Sequence, residues 1–587
     1  MDQHFTTRPE ITGSFGVVVA THWIAAQAGM RMLELGGNAF DAAVATGFAL
    51  QVVMPQHNGP AGDSATLFAT ADGCVHALSG QGPAPAAATI ERFRMLGLDL
   101  IPGTGLLAAA VPGAMSAWLT MLRDYGTMEI VDVLAPAVHY ARTGWPLHAH
   151  TAQFIAESAD LFRDAWPSSG ALWLRGAAVP LPGTWMTHPA LADTYDRLIR
   201  EAVGTSRERR VDAVHRAFYE GFVAEEIDRF CRTSDVLDSS GRRHRGLLCG
   251  QDLASYRARI EAPVTLDYHG VTVCKTGPWG QGPVMLQMLA LLRGFDLAAM
   301  DPNGPDFIHV WVEAAKLAMA DRDSWYGDPD FIDVPMATLL GDSYNTARRA
   351  LIGATASAEL RPGMPDGRVA RSASGGGNAP AMGSGVGEPT TTRPGGDTCH
   401  IDVIDRWGNM VSATPSGGWL QSSPVIPALG FPLGTRAQMF WLEPDLPGSL
   451  APGKRPRTTL TPSLALRDGK PWLAFGTPGG DRQDQWSLVG FLRHLHHGMN
   501  LQQALDAPLF DTEHFRSSFY PRGFLPRRVN LEARLDGAVA VELARRGHDV
   551  VVVPDWSLGW VSAAGRDGHR LTAAASPRGM QTYAVGR

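Results

Sequence analysis

The chain has 587 residues, 45% hydrophobic and 19% charged, enough apolar material for a large buried core of an ordinary soluble enzyme. A formal net charge of −7, with no long basic run, excludes a surface built for nucleic acid or anionic membrane. The five cysteines (Cys74, Cys231, Cys249, Cys274 and Cys399) are scattered without CxxC spacing, which excludes a disulfide framework or cysteine zinc site and fits a reducing compartment.

Residues 1–15 are polar and contain no apolar core, so no secretory signal is expected, and the reading is a cytoplasmic protein. No apolar run reaches the roughly 18 residues of a membrane span. Thr21 is placed to cap a helix reaching about Leu35, where Gly36-Gly37 stops it. Asn38 opens a second helix with Asp41 placed as the acid of a capping box, and Phe40, Val44, Phe48 and Val52 recur at helical spacing. Residues 115–344 read as mainly helical outer layers; 307–324 is the clearest helix, with Trp311, Ala314, Ala315 and Met319 on one face.

The composition then changes. Residues 362–397 are rich in Gly, Ser, Pro and Thr, with almost no large apolar side chain to offset the entropy of ordering, so mobility is expected. Beyond them the pattern becomes strand-like. Residues 401–405 and 410–414 flank a turn at 406–409, and 463–466 and 472–476 flank Asp468-Gly469. A helix is expected over 531–546, and strands over 550–553, 560–564 and 571–575.

The junction Asp397-Thr398 joins the flexible segment to a strand opening with a hydroxyl residue. A threonine hydroxyl is a weak nucleophile unless a base adjoins it. At a chain terminus its own α-amine, with a pKa of about 7.7–8.0, can serve. Release of that amine requires cleavage before Thr398. The route is attack of its hydroxyl on the Asp397 carbonyl, an N-to-O acyl shift and ester hydrolysis.

Several ordered blocks carry a resemblance. They are ELGGNAFDAAVA (34–45), PQHNGPAGD (55–63), ADRDSWYGDPDF (320–331), TCHIDVIDRWGN (398–409), KRPRTTLTPSL (454–464), GTPGGDRQDQ (476–485), ALDAPLF (504–510) and AASPR (574–578). Together the chain resembles the γ-glutamyltransferase family over nearly its whole length. GGDRQDQ is similar to the amidohydrolase and acylase branch, which includes oxamate amidohydrolase and the cephalosporin acylases.

The resemblance implies an α/β (α+β) four-layer αββα N-terminal-nucleophile (Ntn) hydrolase sandwich of two intertwined fragments. These are a large fragment over 1–361, the flexible segment 362–397, and a small catalytic fragment over 398–587. It implies Thr398 as nucleophile, Ser416 as the hydroxyl that hydrogen-bonds it, and Gly479 and Gly480 as oxyanion-hole donors. Thr458 and Thr459 fall where the family places a Ser-Ser pair near the substrate carboxylate.

Three positions depart from true transpeptidases. Gln81 falls where the family's carboxylate-binding Arg stands, and Gly418 and Met439 where its amine-binding Asn and Asp stand. A γ-glutamyl group needs opposite charges at both ends, so a different acyl group is expected. Arg436 is the new charge in that altered block, either a substrate contact or a surface residue paired with a carboxylate such as Glu443. Trp419 and Trp441 either line the acyl pocket or pack in the core, with Trp441 leaning to core.

His494, His496 and His497 lack a ligand-spaced acidic or cysteine partner and read as a helix end before Gly498; His148 and His150 are equally unspecific. Cys399 should point opposite to Thr398 in a strand, and 476–480 lacks the Lys-Ser/Thr of a phosphate loop. The expected protein is a self-processing N-terminal-threonine amidohydrolase of a small, acidic or neutral amide, with no cofactor, metal, nucleic acid or membrane partner. The alternatives are a true γ-glutamyltransferase or glutathione hydrolase, and an unprocessed, non-catalytic family member.

Overall fold

The computed structural model describes residues 5–374 and 398–587. Two seven-stranded sheets lie face to face. In chain space the first runs Tyr583–Gly586, Gly16–Ala20, Ile401–Asp405, Met410–Ser416, Asp63–Ala69, Val75–Gly80 and Arg259–Glu261. The second runs Ile11–Gly13, Arg570–Ala575, Ser562–Asp567, Lys470–Gly476, Ser463–Arg467, Val271–Lys275 and Val264–Tyr268. Every neighbouring pair in both sheets is antiparallel.

The layering follows from strand alternation, because successive side chains face opposite sides of a sheet. Val17, Val19, Leu67, Ile404, Leu464, Ala474 and Ala564 form a thin layer between the sheets. On the outer face of the first sheet, Val18, Phe68, Ile401 and Val403 meet Phe40, Val44, Phe48 and Trp118. On the outer face of the second, Val273, Leu473 and Phe475 meet Leu289, Trp311 and Val489. The result is the expected αββα order. Each sheet takes strands from both ends of the chain, so residues before 374 and after 398 share one core.

Helix Ala39–Val53 carries the expected capping box: Asn38 accepts from the N–H groups of Phe40 and Asp41, and the Asp41 carboxylate accepts from the Asn38 N–H at 2.9 Å. All its residues are buried, which removes any polar face. The first helix, Trp23–Glu34, is capped by His22 rather than Thr21. Thr21 instead accepts the His400 N–H through its hydroxyl at 2.7 Å, a long-range bond that takes the side chain from the cap.

Two further expectations are corrected. Two core strands, Val264–Tyr268 and Val271–Lys275, interrupt the region read as helical. The helix expected over 531–546 is only Gly537–Arg545, because Arg528–Glu532 pairs in parallel with Asp549–Val553. The beginning of the Gly/Ser/Pro segment is held: Gly363 N–H donates to Asp321 at 2.7 Å, and Ser372 and Ser324 hydroxyls lie 2.8 Å apart. Asp397 and residues 375–396, with the mobility expected of them, lie outside the described residues.

Candidate active site

Thr398 stands just ahead of strand Ile401–Asp405 and forms an antiparallel bridge with Ser416 at the end of Met410–Ser416. Their hydroxyl oxygens are 3.1 Å apart, and both residues are buried. The Cys399 N–H donates to the Pro415 carbonyl at 2.9 Å. The Cys399 side chain joins the helix-side core, and its sulfur accepts from Asn58 Nδ2 at 3.3 Å. It therefore faces away from the inter-sheet layer, as alternation requires.

The block 55–63 wraps this junction. Asn58 forms a parallel bridge with Gly417, and Asp63 is the register partner of Ser416. Beneath Thr398, His400 contacts the Thr414 hydroxyl through Nδ1 at 3.0 Å and Asp402 Oδ1 through Nε2 at 3.0 Å. Ser562 donates to the other Asp402 oxygen at 2.8 Å. These polar groups lie in a row because alternate residues of the paired strands face the second sheet.

Strand Lys470–Gly476 delivers the two glycines. A Cβ at Gly476 would meet the His400 ring at 2.2 Å, so the exit of this strand adjoins the segment that carries Thr398. Gly479 has φ of 136°, and a Cβ there would lie 2.2 Å from the Trp486 ring. Gly480 has φ of 54° and opens the turn into helix Gln483–His496. Both positions therefore require glycine, and main-chain N–H groups near a helix start favour developing negative charge.

Gln81 and the two threonines are brought together. Thr458 N–H donates to the Trp279 carbonyl at 3.0 Å, and Gln81 Nε2 donates to that carbonyl at 3.3 Å and to Pro456 O at 2.8 Å. Gln81 thus braces the segment carrying Thr458 and Thr459. The Thr459 hydroxyl is buried with no hydrogen-bond partner among the described residues.

Arg436 is not a surface residue, and Glu443 is not its counter-ion. It is buried, with Nε 2.8 Å from Asp63 Oδ2, Nη2 2.9 Å from Asp63 Oδ1, and its guanidinium 5.1 Å above the Trp419 ring. Glu443 instead accepts from the Ser374 hydroxyl at 2.7 Å. Met439 lies beside Arg436, its sulfur 3.9 Å from Nη1. Trp419 is buried, whereas Trp441 is half-buried under Arg522 at 4.2 Å. His494 and His496 sit at the expected helix end, bonding the Met499 carbonyl at 2.7 Å and the Tyr268 hydroxyl at 3.0 Å.

Sequence reasoning did not single out Asp63, His57 or the His400–Asp402 pair, although the first two lie inside the quoted block 55–63. It also missed a charged cluster behind Gly480. Asp481 pairs with Arg322 and accepts from the Ser518 N–H at 2.8 Å, and the Ser518 hydroxyl accepts from Arg457 at 3.0 Å. Burial, then Arg322, pushes the Arg457 guanidinium down to about 10.

An antiparallel double sheet between helical layers is the fold of the Ntn hydrolases, the class to which this architecture assigns the chain. The gamma-glutamyltranspeptidase family model matches residues 25–586, and the chain belongs to that family. It is 31% identical over 576 residues to the acylase ACY 1 proenzyme of Pseudomonas sp. (strain SE83), covering 96% of this chain and 92% of the relative. It is 30% identical over 548 residues to a glutathione hydrolase proenzyme of Pseudomonas sp. (strain A14), covering 90% and 85%. A solved structure described as LmbA2991HD is 52% identical with a TM-score of 0.95, each chain covered completely. The protein is thus an enzyme of the hydrolase type, and no helix among the described residues is long and apolar enough to cross a membrane.

Proposed function

We propose that the protein is a self-processing amidohydrolase that cuts itself between Asp397 and Thr398 and acts through an acyl-enzyme on Thr398. The observation that carries this reading is the buried Thr398–Ser416 hydroxyl contact of 3.1 Å at the start of the central strand. Ser416 orients the Thr398 hydroxyl. In the first cycle that hydroxyl attacks the Asp397 carbonyl, the C–N bond breaks, and water cleaves the resulting ester. The freed α-amine then takes the hydroxyl proton during attack on a substrate amide and passes it to the leaving amine. Water hydrolyses the acyl-enzyme with the amine again as base. Gly479 and Gly480 N–H groups stabilise the oxyanion in each addition.

Gly479→Ala tests the last role. Its Cβ would strike the Trp486 ring and turn the adjoining amide away, so turnover should fall about 100-fold or more, the scale of one lost oxyanion donor. Parental kcat in a processed Gly479→Ala protein would remove the glycine pair from the mechanism.

The substrate reading rests on Gln81, Gly418 and Met439. Gln81 is engaged with two carbonyls, Gly418 packs against the 59–62 main chain, and Met439 is uncharged. None supplies the charge that a γ-glutamyl α-carboxylate or α-ammonium requires. One missing charged hydrogen bond corresponds to about 1.5–3 kcal/mol, or tenfold and more in kcat/KM. In a panel of oxamate, glutaryl p-nitroanilide and γ-glutamyl p-nitroanilide, the γ-glutamyl compound should be the poor one, with or without an acceptor dipeptide. Fast γ-glutamyl turnover accelerated by the dipeptide would instead identify a γ-glutamyltransferase.

A further inference from the structure

The steps above leave the buried charges beside Gly480 unused. Arg322, Arg457 and Arg522 are buried there and face Asp481 and the half-buried Asp323. Arg322 engages both carboxylates, Asp481 through Nη1 and Asp323 through Nη2 at 2.9 Å. Arg522 donates from Nη2 to the Gln438 and Phe440 carbonyls at 2.8 and 2.9 Å. Arg457 donates from Nη2 to the Ser518 hydroxyl at 3.0 Å, with Asp323 further off at 3.7 Å. Its Nη1 is buried with no hydrogen-bond partner among the described residues. Three guanidiniums thus meet two carboxylates, and a buried cation short of counter-charge is costly.

Arg457 is tied to both halves of the site. Ser64 pairs with Gly80, so Gln81, the next residue, comes alongside Asp63; Asp63 pairs with Ser416, and Ser416 bridges Thr398. From that row Gln81 Nε2 donates to the Pro456 carbonyl at 2.8 Å, which holds the main chain just ahead of Arg457. The tip of the side chain is held from the glycine side. Its partner Ser518 donates to Asp481 through its N–H at 2.8 Å and its hydroxyl at 2.5 Å, and Asp481 directly follows Gly480. A Cβ on Gly480 would lie 3.0 Å from the ring of Phe519, the residue after Ser518. The guanidinium is therefore anchored beside the Gly479-Gly480 turn.

We propose that Arg457 is a specificity-determining residue whose guanidinium hydrogen-bonds a carboxylate at the far end of the acyl group, so that the substrates are amides of dicarboxylic acids that carry no ammonium. The inference rests on Thr398 being the nucleophile and on the Gly479-Gly480 turn receiving the oxyanion. A carboxylate there supplies both the missing counter-charge and the acceptor that Nη1 lacks, in a charge-assisted hydrogen bond. A neutral acyl group leaves both unmet, and a γ-glutamyl group brings its ammonium into the same surplus of positive charge. The other buried guanidinium near Ser416, that of Arg436, is already matched by both Asp63 oxygens.

Protection of Thr398 against sulfonylation by phenylmethylsulfonyl fluoride reads this without knowledge of the leaving amine, through the mass increase on the fragment beginning at Thr398. Oxalate, succinate and glutarate are compared in turn with acetate, butyrate and valerate, in which a methyl replaces one carboxylate. In the processed parent at least one diacid should protect at a concentration about tenfold or more below that of its monoacid, the scale of one charged hydrogen bond. In Arg457→Met, with each rate taken relative to the same variant without acid, that preference should shrink to within about threefold. No preference in the parent, or an undiminished one in Arg457→Met, would overturn the proposal. Should Arg457→Met stay uncut, a crystal structure of the parent with the protecting diacid decides: a carboxylate on the Arg457 guanidinium supports the proposal, and one bound elsewhere overturns it. A parent protein with no fragment beginning at Thr398, or one not sulfonylated there, would instead sink the assignment of the nucleophile itself.

Discussion

Thr398→Ala is expected to leave the 587-residue chain uncut and without amidohydrolase activity. In the proposed mechanism the hydroxyl is the attacking atom in both self-cleavage and turnover, so its loss would remove both at once. Loss of an active-site nucleophile lowers kcat by about 10⁴–10⁶-fold, far beyond what repositioning can recover. Thr398→Ser, which keeps the oxygen 3.1 Å from that of Ser416, should still split, more slowly. A denaturing gel separates one band from two, and mass spectrometry reads the first residue of the smaller fragment. Clean splitting of Thr398→Ala would assign the cut to a protease, and a fragment beginning elsewhere would move the nucleophile.

Arg436→Met should destabilise the protein by about 3–5 kcal/mol, the scale for removing one partner of a buried ion pair. Both Asp63 oxygens lie within 2.9 Å of the guanidinium, and both residues are buried, so the variant leaves a carboxylate in the core. That carboxylate adjoins the strand that ends at Ser416. Asp63 opposes Ser416 in register, and its Oδ1 lies 2.6 Å from where a Cβ on Gly417 would stand. Self-cleavage should therefore slow in Arg436→Met, and Asp63→Asn in the same chain should restore much of both stability and processing. Denaturant unfolding of the single and double variants, with the gel as second readout, measures this. An Arg436→Met protein as stable as its parent would show that the pair contributes nothing.

The two variants probe different kinds of information. The proposal of Thr398 as nucleophile starts from a hydroxyl, a Gly/Ser/Pro-rich stretch before it and a strand after it, and rests on the resemblance of 398–409 to the family. The capping box at Asn38 and the hairpins at 406–409 and Asp468-Gly469 were legible because caps and turns are satisfied within four residues. The branch of the family was readable from block matches, and the proposal of a different acyl group rests on Gln81, Gly418 and Met439, which lie outside those blocks.

What the sequence could not supply was any partner far along the chain. Arg436 reads as either a substrate contact or a surface charge until Asp63, 373 residues earlier, is folded against it. Thr21 reads as a helix cap until the His400 main chain, 379 residues away, takes its hydroxyl and leaves His22 the capping role. Residues 531 and 532 lost their helical reading because strand Arg528–Glu532, of which they are part, pairs in parallel with Asp549–Val553. The sequence alone therefore determined helix caps, hairpins and family, which are carried by short blocks of neighbouring residues. Only the tertiary structure decided which buried charges and rings meet around Thr398, because burial makes an unpaired polar group unfavourable and only the closed double sheet provides the partner.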